Sequence, residues 1–200
     1  MKDLGFFSWR RDCTLRFQEL TCAAEVYQEL ERQTQALEFD YYALCVRHPV
    51  PFTRPKISVQ TSYPKLWMAQ YQSANYFAID PVLKAENFIQ GHLPWTDALF
   101  AEAQELWHSA QDHGLRAGIT QCLMLPNHAL GFLSVSRTRV QEGPLSHEEI
   151  ELRLQMLVQM ALTSLMRFDH EMVMPPEMKF SKREREILKW TAEGKTSAEI

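Results

Sequence analysis

The chain has 200 residues, 46% of them apolar, enough for one full domain with a sizeable core and part of another. Its net charge of −4 excludes a basic nucleic-acid binder over the whole length, and no run reaches the roughly 20 apolar residues of a membrane span. The charge is unevenly placed. From Met178 onward six Lys/Arg stand against four Asp/Glu, net +2, so the part before it carries −6. An acidic body followed by a module suited to a polyanion is the expectation.

The N-terminus has no signal-peptide run, because Arg10 and Arg11 interrupt Phe6, Phe7 and Trp9. Phe6 to Leu20 and Ala23 to Leu37 read as amphipathic helices, the second with Val26, Leu30, Gln33 and Leu37 on one stripe. Tyr41 to Arg47 is strand-like. Pro49, Pro51 and Pro55 then demand an extended loop before a strand over Ile57 to Thr61. The spacing predicts a helix over Lys65 to Asn75, a shorter one after Asp80, and a loop or short strand over Gly91 to Trp95. Leu99 to His113 reads as a helix closed by Gly114. Strands over Arg116 to Leu125 and Leu130 to Arg137 flank a Pro126-Asn127-His128 turn.

Ser146 with Glu149 is a capping box that opens a helix to about Phe168. This helix is apolar over most of its girth, so it is either wholly inside the core or covered by a second copy of the chain. Met174-Pro175-Pro176 breaks it. The resulting domains are 1–173, a linker over 174–177, and 178–200. In the last, Ser181 with Glu184 caps a helix, Gly194 ends it, and Thr196 with Glu199 caps the next. Two short helices joined at a glycine begin a helix-turn-helix, although a generic helical hairpin has the same pattern. The recognition helix lies beyond residue 200 in this reading, so no base-contacting residue is named. The fold class is α+β, with an antiparallel sheet covered on both faces by helices.

Chemistry concentrates between Ser62 and Trp95. Tyr63, Trp67 and Tyr71 recur at steps of four, which on a helix makes one aromatic wall. By periodicity alone such a stripe is core before it is a ligand cage. Asp80, followed by Pro81 in an apolar run, reads first as a helix N-cap. A carboxylate has about four acceptor sites, however, so it could cap and bind at once. An apolar cavity with a few converging polar groups is how proteins hold small amphipathic ligands.

The series Tyr63, Trp67, Tyr71, Asp80-Pro81 and Trp95 resembles the autoinducer-binding domain of LuxR-type quorum-sensing regulators. The similarity extends to Phe6-Phe7-Ser8-Trp9-Arg10-Arg11, to His48 through Pro55, and to Gln90-Gly91-His92-Leu93. Phe180 through Leu188, Gly194-Lys195-Thr196 and Glu199-Ile200 look like the opening of that family's DNA-binding module, with Glu184, Leu188 and Gly194 at scaffold positions. The resemblance implies an α/β/α sandwich, a homodimer, double-stranded DNA as partner of the complete protein, and an N-acyl homoserine lactone as ligand. It implies that the Trp67 N–H meets the lactone carbonyl, Asp80 the amide N–H, and Tyr63 and Ser134 the acyl carbonyl. Tyr71, Trp95, Val82, Phe100, Leu115 and Phe132 would be walls. A variant is a constitutive transcription factor whose cavity holds other acyl compounds.

Other classes have less support. A lactone or lipid hydrolase needs an activated nucleophile, and no Gly-x-Ser-x-Gly elbow is present. The seven histidines include no His-x-x-x-His pair, and no metal or other cofactor is expected. Cys13, Cys22, Cys45 and Cys122 form no Cys-x-x-Cys and read as reduced thiols of a soluble cytoplasmic protein.

Overall fold

Among the described residues, five antiparallel strands in the order β2-β1-β5-β4-β3 form one central sheet. The structure, a computed structural model, describes residues 5–49, 55–84, 91–140, 145–174 and 181–194. Pro51, Gln90, Pro175, Pro176, Phe180, Thr196 and Glu199, on which parts of the sequence reading rest, lie outside the described residues. The strands are β1 (Tyr41–Arg47), β2 (Ile57–Thr61), β3 (His92–Pro94), β4 (Ala117–Met124) and β5 (Leu130–Arg137). The central strand β5 pairs with β1 from Tyr41 opposite Ser136 to Arg47 opposite Leu130, and with β4 from Ala117 opposite Arg137 to Met124 opposite Leu130.

Alternation along the strands gives the sheet two different faces. Tyr42, Leu44, Val46, Leu133, Val135 and Ile119 pack with three helices into the main core. These are α1 (Phe6–Glu19), α2 (Ala23–Ala36) and α5 (His147–Arg167). Ala43, Cys45, Phe132 and Ser134 point the other way. They face α3 (Lys65–Ser73), α4 (Gln104–Asp112) and two 3₁₀ turns, Tyr76–Ala78 and Pro81–Leu83. Gly131 is required on the α5 side, since a Cβ there would stand 2.2 Å from Leu162 Cδ1.

The strands and the ends of α1, α2 and α5 match the sequence reading to within about one residue, and α3, α4 and the turn after Asp80 depart from it. The expected helix over Leu99 to His113 starts only at Gln104. Residues 97–102 form turns instead: the Ala103 N–H donates to the Phe100 carbonyl, and Ala103 itself has non-helical angles (φ −136°, ψ 43°). Asn75, in the left-handed region at φ 53°, stops α3 two residues early and starts an unforeseen 3₁₀ turn. The helix expected after Asp80 is that single 3₁₀ turn at Pro81.

The long helix α5 is covered within the chain. Ile150, Leu154, Leu157, Val158, Ala161, Leu162 and Leu165 are buried by the sheet, α1 and α2. What remains outside is a mixed strip of Leu152, Gln155, Gln159 and Thr163, flanked by half-buried Met156 and Met160. The girth of apolar residues is therefore accounted for without a second copy. Among the described residues no helix is long and apolar enough to cross a membrane.

The final helix, α6 (Lys182–Ala192), opens on a complete capping box. The Glu184 carboxylate accepts from the Ser181 N–H at 2.7 Å, and Ser181 Oγ accepts from the Glu184 N–H at 3.3 Å. Gly194 follows at φ +84°, a conformation L side chains rarely adopt. None of the residues of α6 is buried, and Ile187 and Leu188 stand open to solvent.

Candidate functional site

Between α3, α4 and the sheet lies a cavity of ≈70 Å³ with almost wholly apolar walls. Nine of the ten sequence-selected residues line it: Tyr63, Trp67, Tyr71, Asp80, Val82, Trp95, Phe100, Leu115 and Ser134. Phe132 is the exception. It is fully buried between Cys45 and Leu83 and lies behind the lining. It shares the face of Ser134 but clusters with Cys45 and Leu83, which line the cavity while Phe132 does not. A void of this size in a core costs roughly 2 kcal/mol at about 24 cal/mol per Å³, a cost that an occupant would remove.

The aromatic wall is assembled differently from a simple helical stripe. Trp67 and Tyr71 are on α3 and meet edge to face at 5.5 Å. Tyr63 precedes the helix, and its ring packs on Tyr41 at 6.3 Å while its hydroxyl lies near those of Ser134 and Ser136. Phe100 stacks on Trp107 at 4.6 Å, and Trp107 is itself held by a 2.7 Å bond from Nε1 to Asp97 Oδ1. Trp95 lies flat over Gly118, where a Cβ would stand 2.5 Å from the ring.

Asp80 holds both roles that its sequence context left open. Its Oδ1 accepts the Val82 N–H at 2.8 Å, which is the N-cap bond. Its Oδ2 accepts the Tyr71 hydroxyl at 2.6 Å. Two of about four acceptor sites remain, on a carboxylate that borders the cavity. Burial raises its pKa from 3.8 to about 6, against the opposing pull of the Tyr71 and Val82 bonds. Burial and the nearby Asp80 push both the Tyr63 and the Tyr71 phenols well above their ordinary value, so both stay protonated as donors.

The remaining polar groups divide into satisfied and available. Trp95 Nε1 donates to Thr120 Oγ1 at 3.0 Å, and Thr120 Oγ1 shares a 2.8 Å bond with Ser134 Oγ. The Trp67 indole N–H finds no partner among the described residues, although the residue is only 2% exposed and its ring lines the cavity. An unpartnered donor, a carboxylate with spare lone pairs and two hydroxyls therefore converge on one apolar space. That set suits a guest with carbonyls, one N–H or O–H, and a hydrocarbon chain.

Sequence reasoning missed part of the lining: Ala43, Cys45, Val59, Phe77, Leu83 and Trp107 among others. Alternation along β1 could have found Ala43 and Cys45, since Tyr42, Leu44 and Val46 face the core. No local signal marks Trp107. Among the described residues no three His, Cys, Asp or Glu side chains are placed to hold a metal ion.

Comparison with known proteins agrees with this fold. Regulatory protein SdiA of Escherichia coli K12 is 62% identical over 200 residues, covering 100% of this chain and 83% of that protein. The quorum-sensing regulator RhlR of Pseudomonas aeruginosa is 40% identical over 198 residues, 99% of this chain and 82% of that one. The structure of SdiA in complex with octanoyl-rac-glycerol superposes with a TM-score of 0.85 over 100% of this chain and 82% of that chain, at 62% identity. The fold alone is shared with CepR2 of Burkholderia cenocepacia, at 22% identity and TM-score 0.64 over 84% of this chain and 94% of that one. Residues 23–165 match the autoinducer-binding domain, and the chain belongs to this family of LuxR-type regulators.

Proposed function

We propose that the protein is a cytoplasmic, ligand-responsive transcriptional regulator whose cavity takes an N-acyl homoserine lactone. The observation that carries this reading is the Asp80 carboxylate facing an apolar cavity beside the Trp67 N–H, which has no partner among the described residues. An acyl homoserine lactone supplies the amide N–H for the first and a carbonyl for the second. Tyr63 and Ser134 take the acyl carbonyl, while Val82, Leu83, Cys45 and Val59 offer an aliphatic surface for the tail. Each buried methylene contributes about 0.8 kcal/mol, so chain length tunes affinity while the polar head sets identity.

The organisation proposed with it is a ligand-binding domain over 1–173, a linker over 174–177 and the first part of a helix-turn-helix over 178–200. Supporting the last is α6, whose apolar Ile187 and Leu188 lie uncovered and call for a companion helix. The complete protein then binds double-stranded DNA as a homodimer. Leu152 and its half-buried neighbour Met156 are the strip of α5 available for a second copy.

A second reading has one observation in its favour. The highly similar SdiA has been seen with octanoyl-rac-glycerol, and a carboxylate accepts an O–H as readily as an N–H. The cavity then serves acyl glycerols as a stabilising occupant. Isothermal titration with N-octanoyl homoserine lactone and with octanoyl-rac-glycerol decides between them. Tighter binding of the lactone, lost on Asp80→Asn, supports the first reading; preference for the glycerol ester overturns it in favour of the second.

A further inference from the structure

We propose that His48, assisted by Asn127, is a positioning residue through which occupancy of the cavity reaches the chain leading out of the ligand-binding domain. This rests on the ligand-responsive reading above and adds the path by which the response travels.

The exit path is fixed in the core. After α5, Asp169 reverses the chain at φ 49° and the His170 N–H returns to the Leu165 carbonyl at 3.0 Å. Met172 and Val173 then descend into the main core at 4% and 2% exposure. Two side chains from the sheet layer bind their carbonyls. His48 Nε2 donates to the Met172 carbonyl at 3.0 Å, and Asn127 Nδ2 donates to the Val173 carbonyl at 3.0 Å. A carbonyl only accepts, so the His48 proton is on Nε2. The Asn127 amide is oriented by its Oδ1, which accepts the Ala129 N–H at 3.1 Å.

The same anchor is the end of a cavity wall. His48 directly follows β1, whose Ala43 and Cys45 line the cavity. Three residues of extended chain, about 10 Å, separate Cys45 from His48. Arg47, between them, donates to the carbonyl of Leu83, another lining residue, at 2.9 Å. The His48 N–H is tied to the Lys56 carbonyl at 2.9 Å, immediately before β2. Val59 of β2 lines the cavity and also borders a cleft of ≈320 Å³ shared with His170 and Met172. The exit segment thus lies against strands that wall the cavity, with free space beside it. A guest that widens the ≈70 Å³ void loads β1, and β1 carries that load to Met172 through one hydrogen bond.

Hydrogen exchange of the whole chain tests this, with N-octanoyl homoserine lactone as probe and peptides covering 41–47 and 168–174 as readouts. In the unaltered protein the lactone slows exchange at least tenfold in both. In His48→Ala it still slows 41–47, with affinity within about threefold, and no longer slows 168–174. His48→Gln, which keeps a side-chain N–H donor of similar reach, restores most of the effect. If His48→Ala fails to fold, Asn127→Ala is expected to weaken the response at 168–174 at least threefold and not at 41–47. The proposal is overturned if the lactone slows 41–47 but never 168–174, or if the substitutions leave the 168–174 response intact. Absence of slowing at 41–47 in the unaltered protein overturns the ligand-binding reading itself, and this inference with it.

Discussion

The two faces of the sheet are cut from the same strands and built to opposite purposes. On the α5 face, Leu44, Val46, Leu133, Leu154, Leu157, Leu162 and Leu165 have no solvent exposure at all, and Gly131 makes room for Leu162. On the α3 face, aromatic rings surround a void, and among the described residues the half-buried Asp80 carboxylate has no cationic partner and the Trp67 indole N–H no acceptor. The first face is packed as interiors are when stability is the only demand. The second holds back packing and polar satisfaction, which is what a binding site must do. The difference teaches that an occupant of the cavity acts as the missing piece of one core, whereas the other core is complete.

The largest effect expected from that contrast is on stability. Leu162→Ala opens a cavity in the complete core and should cost about 2–5 kcal/mol, or a fall in Tm of roughly 5–15 °C. Lactone affinity of the folded protein should stay within about threefold. Leu115→Ala, on the cavity side, should do the reverse: a smaller loss of Tm and a clear loss of affinity. Thermal denaturation with and without lactone measures both, and equal behaviour of the two variants would remove the contrast.

Asp80→Asn comes next and separates stability from binding. Leaving a ligand N–H without its charged acceptor costs several kcal/mol, so affinity should fall on the order of 30- to 1000-fold. Without ligand, the same substitution relieves a buried charge. A carboxyl raised from 3.8 to about 6 corresponds to roughly 3 kcal/mol at neutral pH, reduced by the acceptor site that Asn cannot offer to both Tyr71 and Val82. The empty variant should therefore be at least as stable as the parent at pH 7. Chemical denaturation paired with calorimetry tests the two halves independently.

The pH dependence follows from the same group. With the folded pKa raised, the contribution of Asp80 to stability is complete below about pH 4 and is lost as pH rises to about 6. Ligand affinity runs the other way. The ionised carboxylate accepts a donated N–H more strongly than the neutral acid does, so affinity should climb through about pH 6 and level off above it. Titrations between pH 5 and 8 should show this for the parent and a flat profile for Asp80→Asn.

Strands and cavity differ in how far the sequence discloses them. β1 and β2 are bounded by Asp40, the proline loop and Ser62, so their ends are written locally. The start of α4 is not: residues 97–102 form turns and Ala103 has non-helical angles although the residue pattern there is helical, and Phe100 stacks on Trp107 across that boundary. Tyr63, Trp67 and Tyr71 are legible by their spacing, yet Tyr63 reaches the cavity from outside the helix. Phe132 is legible as apolar and on the right face, but depth behind a lining is a tertiary property with no sequence signal. The same holds for His48 and Asn127, whose partners are 124 and 46 residues away.

Tyr71→Phe should have the smallest effect and the most specific one. The hydroxyl contributes a single bond to Asp80 Oδ2, worth about 1–2 kcal/mol, and the ring remains to fill the wall. At pH 8, where the carboxylate is ionised in either protein, affinity should drop no more than about tenfold, far less than for Asp80→Asn. The bond also holds the Asp80 pKa down against burial, so its removal moves that pKa above 6. The midpoint of the affinity profile should therefore shift to higher pH in Tyr71→Phe, and the loss should be greatest near pH 6. A uniform loss at every pH would assign Tyr71 to packing alone, and a midpoint that moves assigns its hydroxyl to keeping Asp80 charged for the ligand.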